Sequence, residues 1–593
     1  MRVRALSIRN FRGIRELDWT TSSHFVCLIG PGDSCKSTLL DAIGLALSSR
    51  WSVPISDADF FDCDTSLPIS ITVTVSDLPA ELKREEPYGH WLRGITSEGS
   101  IADEPEADDE VALSVRFEVD DALEPTWTLA KEARQGHEGR ISARARSAFG
   151  VFQVDDRFDA HLRWAPGSAL SHLSGAADVA AVLTQAQREA RRAVFDNPSA
   201  DLMEAAGRAS TELRALGGAS LAAPRPGLDP TSSGRSPSLV LHDNEVPATQ
   251  LGLGSRRLAS LAFQLAALNE ESVVLVDEVE HGLEPHRLLH VLDHLRRRAE
   301  SGKGQVILTT HSSLVVEAVN APELHIVRNR SGVVTVRQVP HSIGDMKNSE
   351  PQATIRSGPS AMLADRVIVC EGKTEVGLSR AMVKHWDLTA DKSLVLIGTA
   401  IRHGAGHEAP VKARCLAELG YPTALLIDND LSKENKHAFD AQVAKAAGAG
   451  VEVITWEDGC SIEEQIVRSL PDAALAQFVQ LAASLLDTDD PEASVRDAVS
   501  SLLGCGSLTG LDPLSWQDQS DRTLDDVRTA VGAAAKKKGW FKGEARGEQL
   551  GEFVVQQLDH VDPASQLRQT LDLLRLFAYG GTVETEPEAV ATG

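Results

Sequence analysis

The sequence predicts an α/β protein of two to four folding units, the C-terminal α/β unit with the rhythm of a parallel sheet. Three observations carry this. The 593 residues exceed what one hydrophobic core accommodates, at about 150 residues per domain. Short apolar β-type runs alternate with helical patterns in both halves. Several of those runs end in acidic residues, at the strand tips where parallel sheets bind ligands.

Composition narrows the class. Hydrophobic residues make up 42% and charged residues 24%, as in ordinary globular proteins. The seven cysteines, at 27, 35, 63, 370, 415, 460 and 505, never form a C-x-x-C pair, so neither a disulfide framework nor a zinc ribbon is signalled. The opening MRVRALSIRNFRGI lacks the apolar core of a signal peptide, and no run approaches the roughly 18 apolar residues of a membrane helix. The expected location is cytoplasmic. A net charge of −26 opposes indiscriminate binding to nucleic acid, so any contact with DNA needs local basic patches or metal ions.

Along the chain, residues 1–154 begin with the β-type runs RVRALSI, HFVCLIG and ISITVTV around one helical pattern, KSTLLDAIGLALSS. The acidic stretch from Ser97 to Glu110 reads as a solvated loop. Residues 155–238 read as a helical insertion ending in a Gly/Pro/Ser stretch, and β and helix signals resume over 239–339. The polar run 340–360 reads as a linker. Residues 361–580 hold the second α/β unit, with strands RVIVCEG, KSLVLIG, TALLIDND and VEVITWE, and turn helical from Ile462. The tail 581–593 reads as disordered.

The first motif set concerns phosphate. The stretch GPGDSCKST, Gly30 to Thr38, fits G-x-x-x-x-G-K-[ST] except that Cys35 replaces the second glycine. Gly30, Gly32, Ser34, Lys36, Ser37 and Thr38 are its candidate binding residues. A phosphate cradle is built from backbone N–H groups, which cysteine also supplies, although its Cβ costs on the order of 1 kcal/mol if the position needs positive φ. Downstream, SVVLVDEVE delivers Asp277 and Glu278 to a strand end, suited to holding Mg²⁺ and polarising water. QVILTTHS places His311 after another strand, where it can contact a terminal phosphate or serve structurally. LGLGSRR, with Gly254 and Ser255, opens a helix whose N-terminus suits an anion.

The second set concerns metal. Glu371 ends the strand of RVIVCEG and Glu375 follows four residues later in a first helical turn, so both carboxylates can face one point. Asp428 and Asp430 alternate at the end of TALLIDND. Four acids in one crevice require cations. WEDGCSIEEQIV adds Glu463, with Glu464 and Glu457 as substitutes. AKKKGWFKGEARGEQLG places Lys542 in the clearest basic patch, and Lys536, Lys537 and Lys538 fit either phosphate contacts or a solvated helix end.

The order of the first set, with SIRNFRGI as an opening strand, resembles the ABC-type ATPase heads of RecF, SMC and OLD proteins. The set E-G-x-x-E followed by D-x-D resembles the Toprim domain, and together they resemble OLD-family nucleases, which include the Gabija nuclease subunit. The resemblance implies an ABC-type head with a helical dimerisation insertion, then a Toprim α/β domain with helical C-terminal elaboration. It implies ATP with Mg²⁺ on Lys36 and Ser37, a signature turn at Gly254 and Ser255, Glu278 as base, His311 as switch histidine, and a homodimer. It further implies two Mg²⁺ or Mn²⁺ ions on the Toprim acids, Lys542 at the phosphate, DNA as substrate, and a role in phage defence or repair. The alternative from another class is an ATP-gated DNA clamp whose Toprim domain binds metal without cutting. A topoisomerase would need a nucleophilic tyrosine, and Tyr88, Tyr421 and Tyr579 lie in no evident DNA-cleavage domain.

Overall fold

The computed structural model describes residues 1–50, 53–131, 139–154, 246–250, 252–266, 271–301, 304–390, 392–429, 433–457 and 459–581, with isolated positions between 155 and 245. Nearly all of the expected insertion and the tail from 582 lie outside the described residues. The chain divides into two compact units: 1–26 with 37–309, and 27–36 with 310–593.

In the first unit, strand β1 (Arg2–Phe11) pairs antiparallel with β2 (Ile14–Thr20) and with β4 (Ile69–Ser76). The antiparallel run continues through β7 (Glu110–Val119) to β5 (Leu92–Ile95) and β6 (Ile101–Ala102), while β8 (Pro125–Leu129) pairs β7 and β9 (Gly139–Arg140). Two short antiparallel pairs, β11 (Arg163–Trp164) with β12 (Leu239–Val240) and β13 (His242–Asp243) with β14 (Val246–Pro247), follow β10 (Val151–Val154) in the chain, and a parallel run joins β10, β15 (Val273–Val276) and β16 (Gln305–Thr309). VVLV and QVILT are buried at every position, which is why they read as unbroken apolar runs and not as alternating ones. The acidic Ser97–Glu110 stretch is tied down by ion pairs: Arg93 meets Asp103 at 3.0 Å, and the buried Lys131 ammonium meets Glu104 at 2.7 Å.

In the second unit, residues 27–29 of β3 (Phe25–Ile29) pair parallel with β17 (Leu324–Arg330), which pairs antiparallel with β18 (Val333–Gln338). Beyond them lies a four-stranded parallel sheet in the order β20 (Thr399–His403), β19 (Arg366–Cys370), β21 (Thr423–Ile427), β22 (Glu452–Thr455). The chain is helical from Ile462 to Ala578, around buried Trp516, Trp540, Phe478 and Phe541.

Two expectations shift. The apolar run KSLVLIG is not a strand: Leu394–Ile397 is a single helical turn closed by left-handed Gly398, with Val395 and Leu396 exposed, and the strand is the adjoining TAIRH. The segment 340–360 carries helix Glu350–Arg356, whose Pro351, Thr354 and Ile355 are buried. The compact units divide at 309/310, and β17 and β18 are bound within the second, to residues between 364 and 421. Arg328 donates to the carbonyls of Asp365 (2.9 Å) and Ala364 (3.3 Å) and lies 4.2 Å over the Tyr421 ring. Arg337 donates to the Glu418 carbonyl at 2.8 Å. Asp345 bridges Arg414 and Lys445, whose hydrogen bonds hold its carboxyl near 2.

His325 in β17 gives a pH signature. Burial pushes its imidazole down to about 4 from 6.5, against a backbone hydrogen bond to Glu323 that favours the charged form. The unfolded chain therefore takes up the proton first. The His325 contribution is intact above pH 6.5 and is lost as pH falls toward 4, by about 3 kcal/mol. Urea melts across this range should show that slope in the wild type and its absence in His325→Gln.

Candidate functional site

In the second unit the phosphate loop is closed. Gly30 has φ 154°, and a Cβ there would lie 2.4 Å from the Val327 carbonyl oxygen of β17, so only glycine fits. The Lys36 ammonium donates to the carbonyls of Gly30 (3.1 Å) and Pro31 (2.8 Å) and to Ser34 Oγ (3.1 Å). Gly32 stands in open space at the tip.

Cys35 occupies the left-handed region at φ 70°, the conformation for which glycine is the usual residue. The Asn329 amide offsets part of the strain by donating to Cys35 Sγ at 3.3 Å. Burial raises the thiol above its ordinary value, more than Asn329 and Lys36 lower it, so the group is a thiol and not a reactive thiolate. Replacing Cys35 by glycine should stabilise the protein by about 1 kcal/mol relative to Cys35→Ala, which keeps the strain and loses the Asn329 contact. Urea unfolding of the two variants checks this.

The first unit carries the next residues. Helix Lys36–Ala46 places Ser37 in its first turn, where Ser37 Oγ donates to Asp277 Oδ1 at 2.9 Å. Thr309 Oγ1 donates to the same oxygen at 2.5 Å and accepts the Glu278 N–H at 2.8 Å. Asp277 Oδ1 thus accepts from two hydroxyls, and a carboxylate beside a serine hydroxyl is the pairing suited to a hydrated Mg²⁺. Glu278 has φ 44° and is clamped by Arg257, which donates to its carbonyl at 2.9 Å. Gly254 and Ser255 lie in the first turn of helix Leu253–Ala266, and a Cβ at Gly254 would approach the Gly282 carbonyl to 3.0 Å. Thr38 lies next to Ser37 in its helix, and His311 is exposed, two residues past β16 in the second unit. Gln153 of β10, which no motif indicates, donates to Asp41 at 2.8 Å. Its signal in the sequence is a strand-end amide, VFQVDD, too short to distinguish.

The C-terminal acids stand at the carboxyl edge of the four-stranded sheet. β19 and β21 are parallel neighbours, so Glu371 and Asp428 lie just past adjacent strand ends, and the Asp428 N–H donates to Glu371 Oε2 at 3.1 Å. Asp428 Oδ1 accepts the Ile462 N–H at 3.0 Å, at the start of helix Ile462–Ser469. Glu375, in the first turn of helix Lys373–Asp387, is buried and its Oε2 has no hydrogen-bond partner. Burial raises its carboxyl to about 7; hydrogen bonds from its own N–H and that of Gly372 oppose this, and the charges of Glu371 and Glu463 add to it.

Glu463 is also buried and accepts from Ser461 Oγ at 3.0 Å. Its substitutes are engaged elsewhere: Glu464 caps its helix through the Ser461 N–H (2.8 Å) and meets Lys536 (3.2 Å), and Glu457 meets Arg468 (3.3 Å). Asp430 lies outside the described residues. Among the described residues no three His, Cys, Asp or Glu side chains are arranged to hold a metal ion. The donor set nonetheless fits a divalent cation, because a buried carboxylate oxygen without a donor, among further acids, is what a positive ion would satisfy.

Lys542 is exposed on the turn between helices Leu524–Lys538 and Glu544–Gln557. That turn is anchored by buried Trp540 and Phe541, and the Phe541 carbonyl accepts from Thr374 Oγ1 at 3.3 Å, one residue from Glu375. Lys537 and Lys538 are exposed at the helix end.

Comparison with known proteins bears on both units. The AAA domain model described for "AbiEii toxin, Type IV TA system" matches residues 25–317. The "Overcoming lysogenization defect protein-like, TOPRIM domain" model matches residues 362–430, which hold Glu371, Glu375, Asp428 and Asp430. The chain joins an AAA-type ATPase domain to an OLD-like Toprim domain. A helical C-terminal region follows the Toprim domain. No curated protein matches the chain. Among solved structures it is similar to an Smc head bound to the C-winged helix domain of ScpA, at 16% identity and TM-score 0.34, over 57% of this chain and 97% of that one. It is also similar to the SMC head domain from Thermotoga maritima, at 15% identity and TM-score 0.28, over 57% of this chain and 100% of that one. Among the described residues no helix is long and apolar enough to cross a membrane.

Proposed function

We propose that this chain is a divalent-metal-dependent DNA endonuclease of the OLD family whose cutting is governed by ATP and by homodimerisation. The observation that carries the reading is the acid group at the carboxyl edge of the Toprim sheet, where Glu371 and Asp428 share a hydrogen bond and buried Glu375 presents an unpartnered oxygen. Glu371, Glu375, Asp428, Asp430 and Glu463 would hold Mg²⁺ or Mn²⁺. When bound, such ions activate a water and stabilise the leaving 3′-oxygen of a phosphodiester.

The chain's own groups do the rest. Lys542 offers its ammonium to the phosphate as negative charge builds, and Lys537 and Lys538 contact the flanking backbone. In the ATPase domain the loop with Lys36 would hold the nucleotide phosphates, Ser37 and Asp277 would hold its magnesium, Glu278 would orient water, and His311 would sense the terminal phosphate. Gly254 and Ser255 would face nucleotide held by the second copy. The biological setting that fits a nucleotide-gated DNA cutter of this family is phage defence or DNA repair.

The test is incubation of supercoiled plasmid with the protein in Mg²⁺ or Mn²⁺, with and without ATP. Nicking that EDTA abolishes, and that Lys36→Ala renders insensitive to ATP, is expected. Intact plasmid under every metal condition rejects the nuclease reading.

A further inference from the structure

The strand that the sequence conceals, β20, brings a residue to the acid edge that no motif indicates. His403 ends β20 in register with Cys370, so it stands beside the strand end that carries Glu371. The chain then folds back over that end. The Gly404 N–H donates to the Cys370 carbonyl at 2.6 Å and the Gly406 N–H to the Glu371 carbonyl at 2.8 Å.

This loop has little freedom. Ala405 and Gly406 both have left-handed φ, 69° and 66°, and a Cβ on Gly404 would lie 2.3 Å from that of Ala409. A strained, pinned loop of this kind persists where the surroundings over-determine it, often at a site.

Two groups on this side of the acids are uncommitted. His403 is half-buried and Lys373 is exposed at the start of helix Lys373–Asp387, and among the described residues neither side chain has a hydrogen bond or ion pair. They are close enough that the Lys373 charge bears on the imidazole. The neighbouring cations are engaged: Lys412 meets Glu408 at 2.9 Å, Lys436 meets Asn429 at 3.1 Å, and Arg402 is turned inward to Thr354 and Ser357.

We propose that Lys373 and His403 form a phosphate subsite that grips the DNA backbone next to the cleaved bond. The inference rests on the nuclease reading. Lys373 supplies a positive charge and His403 an imidazole N–H for a non-bridging oxygen, at the β20 side of the acids. The pair fixes the register of the strand across the site, and Lys373 is the charge that draws backbone over an otherwise acidic edge.

Anisotropy of a short fluorescein-labelled DNA duplex, measured with Ca²⁺ replacing Mg²⁺ and over a salt series, tests it. Lys373→Gln should weaken binding about tenfold and lower the slope of log affinity against log salt by about 0.9, the loss of one phosphate contact. Lys373→Arg should restore both. His403→Gln should weaken binding several-fold and leave the slope unchanged. In plasmid nicking both changes should raise KM more than they lower kcat. Wild-type protein that binds and cuts DNA, with Lys373→Gln unchanged in affinity and slope, overturns the subsite alone. Wild-type protein that neither binds nor cuts DNA overturns the nuclease reading and the subsite together. Lys373 is exposed, so its substitution does not threaten the fold, and its result decides.

Discussion

Asp428→Ala is expected to lower metal-dependent DNA cleavage by on the order of 10³-fold, the loss of several kcal/mol of charge stabilisation at the reacting phosphate. Asp428 links two parts of the site, since its N–H donates to Glu371 and its Oδ1 accepts from Ile462 at the start of the helix that carries Glu463. Glu375→Gln should be nearly as severe and yet leave a folded protein. Its Oε2 has no partner to lose, so the substitution removes a charge whose burial is unfavourable without an ion. Plasmid nicking rates with thermal melts in EDTA separate the two effects: activity falls in both variants, and Glu375→Gln melts no lower than wild type. Undiminished nicking by Asp428→Ala would remove this acid from the chemistry.

The second large effect is expected far from any titratable group. Helices Lys373–Asp387 and Glu544–Gln557 cross so closely that glycine is required on both. A Cβ on Gly377 would lie 2.2 Å from the Glu544 carbonyl oxygen, and one on Gly547 would lie 2.4 Å from that of Thr374. Arg380 with Glu544 and Lys384 with Glu548 close the same seam. Gly377→Val must force the backbones apart, which costs about 3 kcal/mol or more. The crossing also sets Thr374 against the Phe541 carbonyl, next to Glu375 on one side and Lys542 on the other. Stability and nicking should therefore fall together in Gly377→Val, while a control at exposed Lys384 changes neither by much. Wild-type melting and nicking in Gly377→Val would mean that the crossing does not position the site.

Much of this was legible in the sequence, for physical reasons. Strands buried on both faces are unbroken apolar runs, so TALLI and VVLV announced themselves, and the acids had to be where those runs stopped. Glu371 and Asp428 are the result. KSLVLIG misled for the same reason: it is as apolar as a buried strand, yet Val395 and Leu396 are exposed on a helical turn. The true strand, TAIRH, carries Arg402 and His403 and looks polar, because Arg402 is buried against Thr354 and Ser357 of a preceding segment that periodicity cannot reveal. His403 was lost with it. The choice among Glu457, Glu463 and Glu464 likewise needed structure, since a capping hydrogen bond and two ion pairs engage the others. Cys35 shows the reverse: the motif alone marked a position where glycine was due, and its φ is left-handed.

The most direct test is a titration of nucleotide-free protein with Mn²⁺, monitored by electron paramagnetic resonance of the free ion. The wild type and Lys36→Ala should take up Mn²⁺ alike, and Asp428→Ala and Glu371→Ala should bind it at least tenfold more weakly, in line with the loss of a ligand. Equal uptake by the wild type and both acid variants, or none by the wild type, would contradict a metal-dependent cutting site in the C-terminal half.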